Sequence, residues 1–110
     1  MISVSYLFEF SQDRTKPVML KEKATKYDSL ARGNAKIPGG VPFNLRDWAS
    51  KKAGQMKHLA NYVSLRQRGD NDQARESLDH AKMYKQAERK LRPTFRTIPG
   101  YDQFASGVPA

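Results

Sequence analysis

The 110-residue chain is predicted to be mainly α with a small β element, built around an antiparallel αα-hairpin. Three observations predict this. From Leu45 to Val63 apolar residues return to one helical face, and a second helical pattern runs from Ala74 to Leu91. Gly69 and the polar run Asp70-Asn71-Asp72 separate the two by a short turn. Residues 2–10, by contrast, alternate with the period of two that marks a half-buried strand.

In that strand Ile2, Val4, Tyr6, Phe8 and Phe10 share one side, and Ser3, Ser5, Leu7 and Glu9 the other. Its backbone groups need a partner. Pro17–Lys21 is the nearest, making a hairpin over residues 1–21, with Thr94–Ile98 a candidate third strand. A two-stranded ribbon is marginal in water, so the hairpin is expected to lean on the helices or on another chain.

Residues 22–43 are polar and basic, with room for one helical turn around Tyr27–Arg32 before Gly33. Pro38-Gly39-Gly40-Val41-Pro42 suits neither a helix nor a central strand and reads as a linker.

Residues 44–92 form the helical hairpin, with helices expected at about 45–68 and 72–91. Asn44 is placed to cap the first helix, and Gly69 to end it. At roughly 100° per residue, Leu45, Ala49, Met56, Leu59, Ala60 and Val63 gather into one stripe. Leu65 falls outside this stripe. Lys52 falls inside it, so it either snorkels or marks a seam that is not dry. The second helix ends at Pro93 and mixes signs, with pairs such as Asp79–Lys82 and Glu88–Arg92 at helical spacing. It reads as a surface helix whose alanines allow close approach to the first.

Residues 93–110 carry three prolines, two glycines and the aromatics Phe95, Tyr101 and Phe104, with no helical period. They read as an extended arm that either folds back over the helices or docks on a neighbour. The whole chain is one small domain without repeats.

Composition narrows the function. The net charge is +9, from 20 Lys and Arg against 11 Asp and Glu. Leu, Ile, Val and Phe number 21 of 110, about 19%, a share typical of chains that need partners to order them. The isolated chain is therefore expected to be partly unfolded. Without cysteine there is no disulfide, thiolate metal site or thiol nucleophile, and two histidines alone make no zinc site. His58 has no carboxylate at helical spacing and reads as a solvated side chain, while His80 has only Glu76. No catalytic group, metal site or cofactor is expected, nor a membrane span. The N-terminus lacks the basic and small-residue features of a signal peptide. Arg68-Gly69-Asp70 spells a cell-adhesion tripeptide, but a helix-ending glycine accounts for it.

The clearest chemical pattern lies on the first helix. Arg46, Lys57 and Arg68 are spaced by eleven, close to three turns, and line up within a sector of roughly 40° beside the apolar stripe. Ser50, Asn61 and Ser64 fall among them, and Lys51 and His58 widen the patch. A positive, donor-rich face with almost no carboxylate suits phosphate contact; an ordinary solvated face would interleave Glu. Lys23, Lys26, Arg32 and Lys36 read as a phosphate-tracking arm or an exposed loop, with Tyr27 available to stack on a base. Ile2, Val4, Tyr6, Phe8 and Phe10, together with Phe95, Tyr101 and Phe104, are the expected protein-docking residues.

These features predict a small basic structural subunit of a nucleic-acid-containing assembly, a virion or a ribonucleoprotein. It would bind DNA or RNA backbone without sequence preference and dock on protein neighbours within an intracellular particle or virion. The alternative is an adaptor or scaffold module whose charge meets an acidic protein partner.

Overall fold

The computed structural model describes residues 4–34 and 40–91. Over these residues the chain is mainly helical. A single turn, α1 (Val4–Leu7), leads through a 3-10 turn (Ser11–Arg14) into α2 (Pro17–Ala31), α3 (Phe43–Gln67) and α4 (Asn71–Leu91). The central element is α3, which packs against α2 and against α4.

The α3–α4 hairpin forms where the sequence placed it. Gly69 takes φ +82°, the left-handed conformation that glycine adopts without steric cost. The Asp70 amide donates to the Leu65 carbonyl at 2.9 Å and the Gly69 amide to Arg66 at 3.1 Å, a Schellman closure of α3. Asp70 then opens α4, its Oδ1 accepting the Gln73 amide at 3.3 Å. At the other end of α3 the capping position is Pro42, so Asn44 lies inside the first turn rather than before it.

The expected β hairpin is not present among the described residues. Residues 4–7 form a helical turn, and residues 17–21 open α2. Pro17 sits in the first turn of α2, where its locked φ suits a helix and its missing N–H costs nothing. Leu20, Ala24 and Tyr27 are buried at helical spacing, a pattern longer than the five residues read as a strand. The single turn expected at Tyr27–Arg32 is the end of this helix. It closes like α3: Gly33 takes φ +86°, and the Asn34 amide reaches the Ser29 carbonyl at 3.0 Å.

Near the N-terminus the sides of the alternation are exchanged. Leu7, read as facing away from the apolar side, is fully buried, whereas Val4, Tyr6 and Phe10 are exposed. The Gln55 side chain donates to the Leu7 carbonyl at 2.8 Å, tying this turn to the middle of α3. Asp13 Oδ2 accepts the amides of Glu9 and Phe10, both at 3.2 Å, which closes the bend that follows.

The core explains both oddities of the α3 wheel. Leu65 is buried because α3 is covered on two flanks, so its buried surface is far wider than one stripe. Lys52 is buried too, and it is paired: its Nζ lies 2.8 Å from Glu9 Oε1. Glu88, read as a surface residue paired with Arg92, is likewise turned inward. It is fully buried, accepts Trp48 Nε1 at 2.9 Å, and lies 3.3 Å from Lys85 Nζ. Among the described residues no helix is long and apolar enough to cross a membrane. The candidate strand at 94–98, the linker residues 35–39 and the arm at 93–110 lie outside the described residues.

Candidate nucleic-acid interface

Two flanks of α3 are covered by α2 and α4. Arg46 and Lys57 are exposed on α3 and Arg68 is exposed as the cap of its C-terminal end, with Ser50 and Asn61 exposed between them and Ser64 half-buried. One member has a structural tie: Arg46 Nε donates to the Ala31 carbonyl at 3.0 Å, satisfying one of the last carbonyls of α2. Lys51 sits at the margin, half-buried and 3.6 Å from Asp47.

The arm expected from Lys23 to Lys36 is divided by the fold. Lys23 is withdrawn from solvent, its Nζ 2.7 Å from Asp13 Oδ2 and 3.7 Å from Glu9 Oε2. It is a buried counter-charge and not a phosphate ligand. The Tyr27 ring is also unavailable for stacking on a base. It meets Trp48 edge-on, with ring centres 5.6 Å apart, and its hydroxyl donates to Glu9 Oε1 at 3.0 Å. Lys26 is exposed, and Arg32 is exposed with an ion pair to Asp28 at 3.0 Å. Lys36 lies outside the described residues.

Glu9 is the centre of the buried cluster. Desolvation pushes its carboxyl upward. The charge and hydrogen bond of Lys52, the charge of Lys23 and the Tyr27 hydroxyl outweigh that and hold it below its ordinary 4.5. Three buried lysines (Lys23, Lys52, Lys85) thus meet the inward carboxylates Glu9, Asp13 and Glu88. The net positive charge is left to the surface. By residue exposure, Arg14, Lys16, Lys21, Lys26, Arg32, Arg46, Lys57, Arg66, Arg68, Arg75, Arg89 and Lys90 are exposed cations. Among the described residues the exposed carboxylates are Glu22, Asp72, Glu76 and Asp79, and three of those four lie on the first half of α4. The outer face of α3 therefore has an unbalanced positive field.

His58 is not a freely solvated side chain. It is half-buried and stacked between elements: its ring centre is 4.9 Å from that of His80 and 5.5 Å from that of Tyr84. Burial, followed by the charges of His80 and Lys57, lowers its pKa from 6.5. Among the described residues no group of three or more His, Cys, Asp or Glu could hold a metal ion.

Of the N-terminal docking residues, Val4 and Phe10 are exposed, while Phe8 packs against the core. The Tyr6 ring is covered on the α4 side by Lys85, 4.9 Å from its centre, and Arg89, 5.5 Å away. Ile2, Phe95, Tyr101 and Phe104 lie outside the described residues.

Reading the sequence missed a groove between the N-terminal segment and the last turns of α3. Val4, Phe8, Arg14, Tyr62, Val63, Arg66 and Gln67 line a cavity of about 620 Å³. The i,i+4 pair Tyr62–Arg66 was visible in the sequence; the contribution of residues 4–14 required the fold. Comparison of the chain with family models, with curated proteins and with solved structures found no match.

Proposed function

We propose that this chain is a small, non-catalytic, basic structural subunit of a nucleic-acid-containing assembly, a virion or a ribonucleoprotein. The outer face of α3 grips the phosphate backbone without sequence preference. One observation carries the reading: Arg46 and Lys57 on α3 and Arg68, which caps its C-terminal end, are all exposed, with hydrogen-bonding Ser50 and Asn61 exposed between them. Neighbours in that line are about 16 Å apart at 1.5 Å per residue, so each reaches a separate phosphate. Lys26 and Arg32 extend the positive surface on α2 and just beyond its end.

The test is a salt titration of binding to arbitrary DNA and RNA. Replacing Arg46, Lys57 and Arg68 by Gln keeps helix propensity and removes three charges. If each meets a duplex phosphate, the slope of log K against log salt becomes shallower by about 2.7, or by ~2.1 for a single strand. An unchanged slope would count against the phosphate contact. Lys23→Gln is unsuitable as a probe because that lysine is buried.

One observation favours the second reading, an adaptor that meets an acidic protein. Phe43 is 76% exposed at the start of α3, close to the sector that holds Arg46. A bare aromatic beside a basic line is the composition of a protein-interface centre with a charged rim. An unchanged salt slope with nucleic acid would move that reading to the front.

A further inference from the structure

The groove lined by Val4, Phe8, Tyr62 and Val63 carries two guanidiniums, Arg14 and Arg66, and no carboxylate among its lining residues. Each guanidinium is held over an aromatic ring. Arg14 lies 5.6 Å from the centre of Phe8 and Arg66 5.8 Å from that of Tyr62, and Arg66 also donates to the Tyr62 hydroxyl at 3.0 Å. Among the described residues neither Arg14 nor Arg66 has a carboxylate within ion-pair distance, although buried lysines elsewhere in this protein are paired. The two are therefore preplaced and charged, facing an apolar floor.

This site is separate from the phosphate-facing line. Arg66 lies nine residues beyond Lys57, which at roughly 100° per residue is the opposite side of α3. The volume, about 620 Å³, falls within the range of roughly 300–1,000 Å³ that holds small organic ligands. Planar guanidinium forks match a carboxylate in two parallel hydrogen bonds, and holding the side chains over rings lowers the ordering cost of binding. We propose that the groove binds a small amphipathic anion, a medium-chain monocarboxylate. Its head sits between Arg14 and Arg66, and its chain lies along Val4, Phe8 and Val63.

The experiment is calorimetric titration of the full chain with decanoate, below the concentration at which it forms micelles, and with decanol. One saturable site is expected for decanoate, with decanol at least tenfold weaker. Both arginines are exposed, so R14Q/R66Q is expected to fold, checked by an unchanged far-ultraviolet spectrum, and to lose decanoate affinity at least tenfold. R75Q/K90Q removes the same charge elsewhere and should leave the affinity as it was. The proposal is overturned by the absence of a saturable site, by equal affinity for decanol, or by unchanged decanoate affinity in R14Q/R66Q. Equal losses in the two double variants would also overturn it, because they would mean attraction by net charge alone.

Discussion

A single missing Cβ sets how closely α3 and α4 approach. A Cβ built on Gly54 would lie 2.6 Å from Tyr84 Cε1 and 2.7 Å from two further ring atoms. That ring cannot withdraw freely, because it stacks on His58. Gly54→Ala would raise helix propensity by about 1 kcal/mol. The overpacking it forces costs roughly 1–3 kcal/mol. We expect the clash to win and the thermal midpoint to fall; a raised midpoint would show that Tyr84 yields. Glu88 is a second single-residue dependency. Glu88→Ala removes the acceptor of Trp48 Nε1 and the counter-charge beside Lys85, and breaking such buried pairs costs about 3–5 kcal/mol. Glu88→Gln, which can still accept from Trp48, should cost less in urea denaturation. Titration adds a pH dependence. The folded pKa of His58 is depressed below 6.5, so its contribution to stability is full above 6.5 and is lost as pH falls through the folded value. The groups facing it are His80, Lys57 and Tyr84. Glu9 is also depressed, from 4.5, so its contribution is full above 4.5 and fades as pH falls through its folded value. The urea midpoint should therefore decline in two stages on acidification, and His58→Gln should flatten the first.

Among the elements, the N-terminal segment and α3 depart most from what their sequences suggest. Residues 2–10 alternate cleanly, yet at positions 4–7 the chain turns helically because Leu7 has a site in the core and Gln55 a hydrogen bond for its carbonyl. Alternation over a few residues cannot reveal that, since it reports a local period and not what lies opposite. The segment also supplies Glu9, the counter-charge of Lys52 and Lys23. Its removal should thus unfold the bundle before it affects any assembly. Leu7→Ala alone should cost about 2–5 kcal/mol, measured by chemical denaturation. A cost below 1 kcal/mol would mean that α1 is peripheral. On α3, the charged line was legible because exposed residues on one helix keep their angular order whatever packs behind them. Lys23 and Tyr27 read as surface residues in the sequence because their partners, Asp13, Glu9 and Trp48, are brought together by three different segments.

For the whole molecule, the low share of Leu, Ile, Val and Phe understates the core. Among the described residues its seventeen members include only seven Leu and Val; the others are Met56, Trp48, Tyr27, Tyr62 and six alanines. Alanines at 24, 49, 53, 60, 74 and 81 let helices approach closely but bury little area each, so the core is real and thin. The pure chain should unfold at low temperature, and duplex or single-stranded nucleic acid should raise its midpoint by mass action. Scanning fluorimetry with and without an oligonucleotide would check this, and no rise at low salt would weigh against the proposed partner.

The αα-hairpin, the glycine that closes α3 and the basic line are readable from the residues alone, because helical period, left-handed glycine and angular order are local properties of the chain. Which charges stay exposed follows from how the segments pack. Lys23, Lys52, Asp13 and Glu88 are buried against partners from other segments, Glu9 among those partners, whereas Lys85 meets Glu88 on its own helix. No local pattern distinguishes a lysine that meets solvent from one whose counter-charge arrives from another segment. The difference is set by burial, which raises the cost of an unpaired charge until folding must supply its partner.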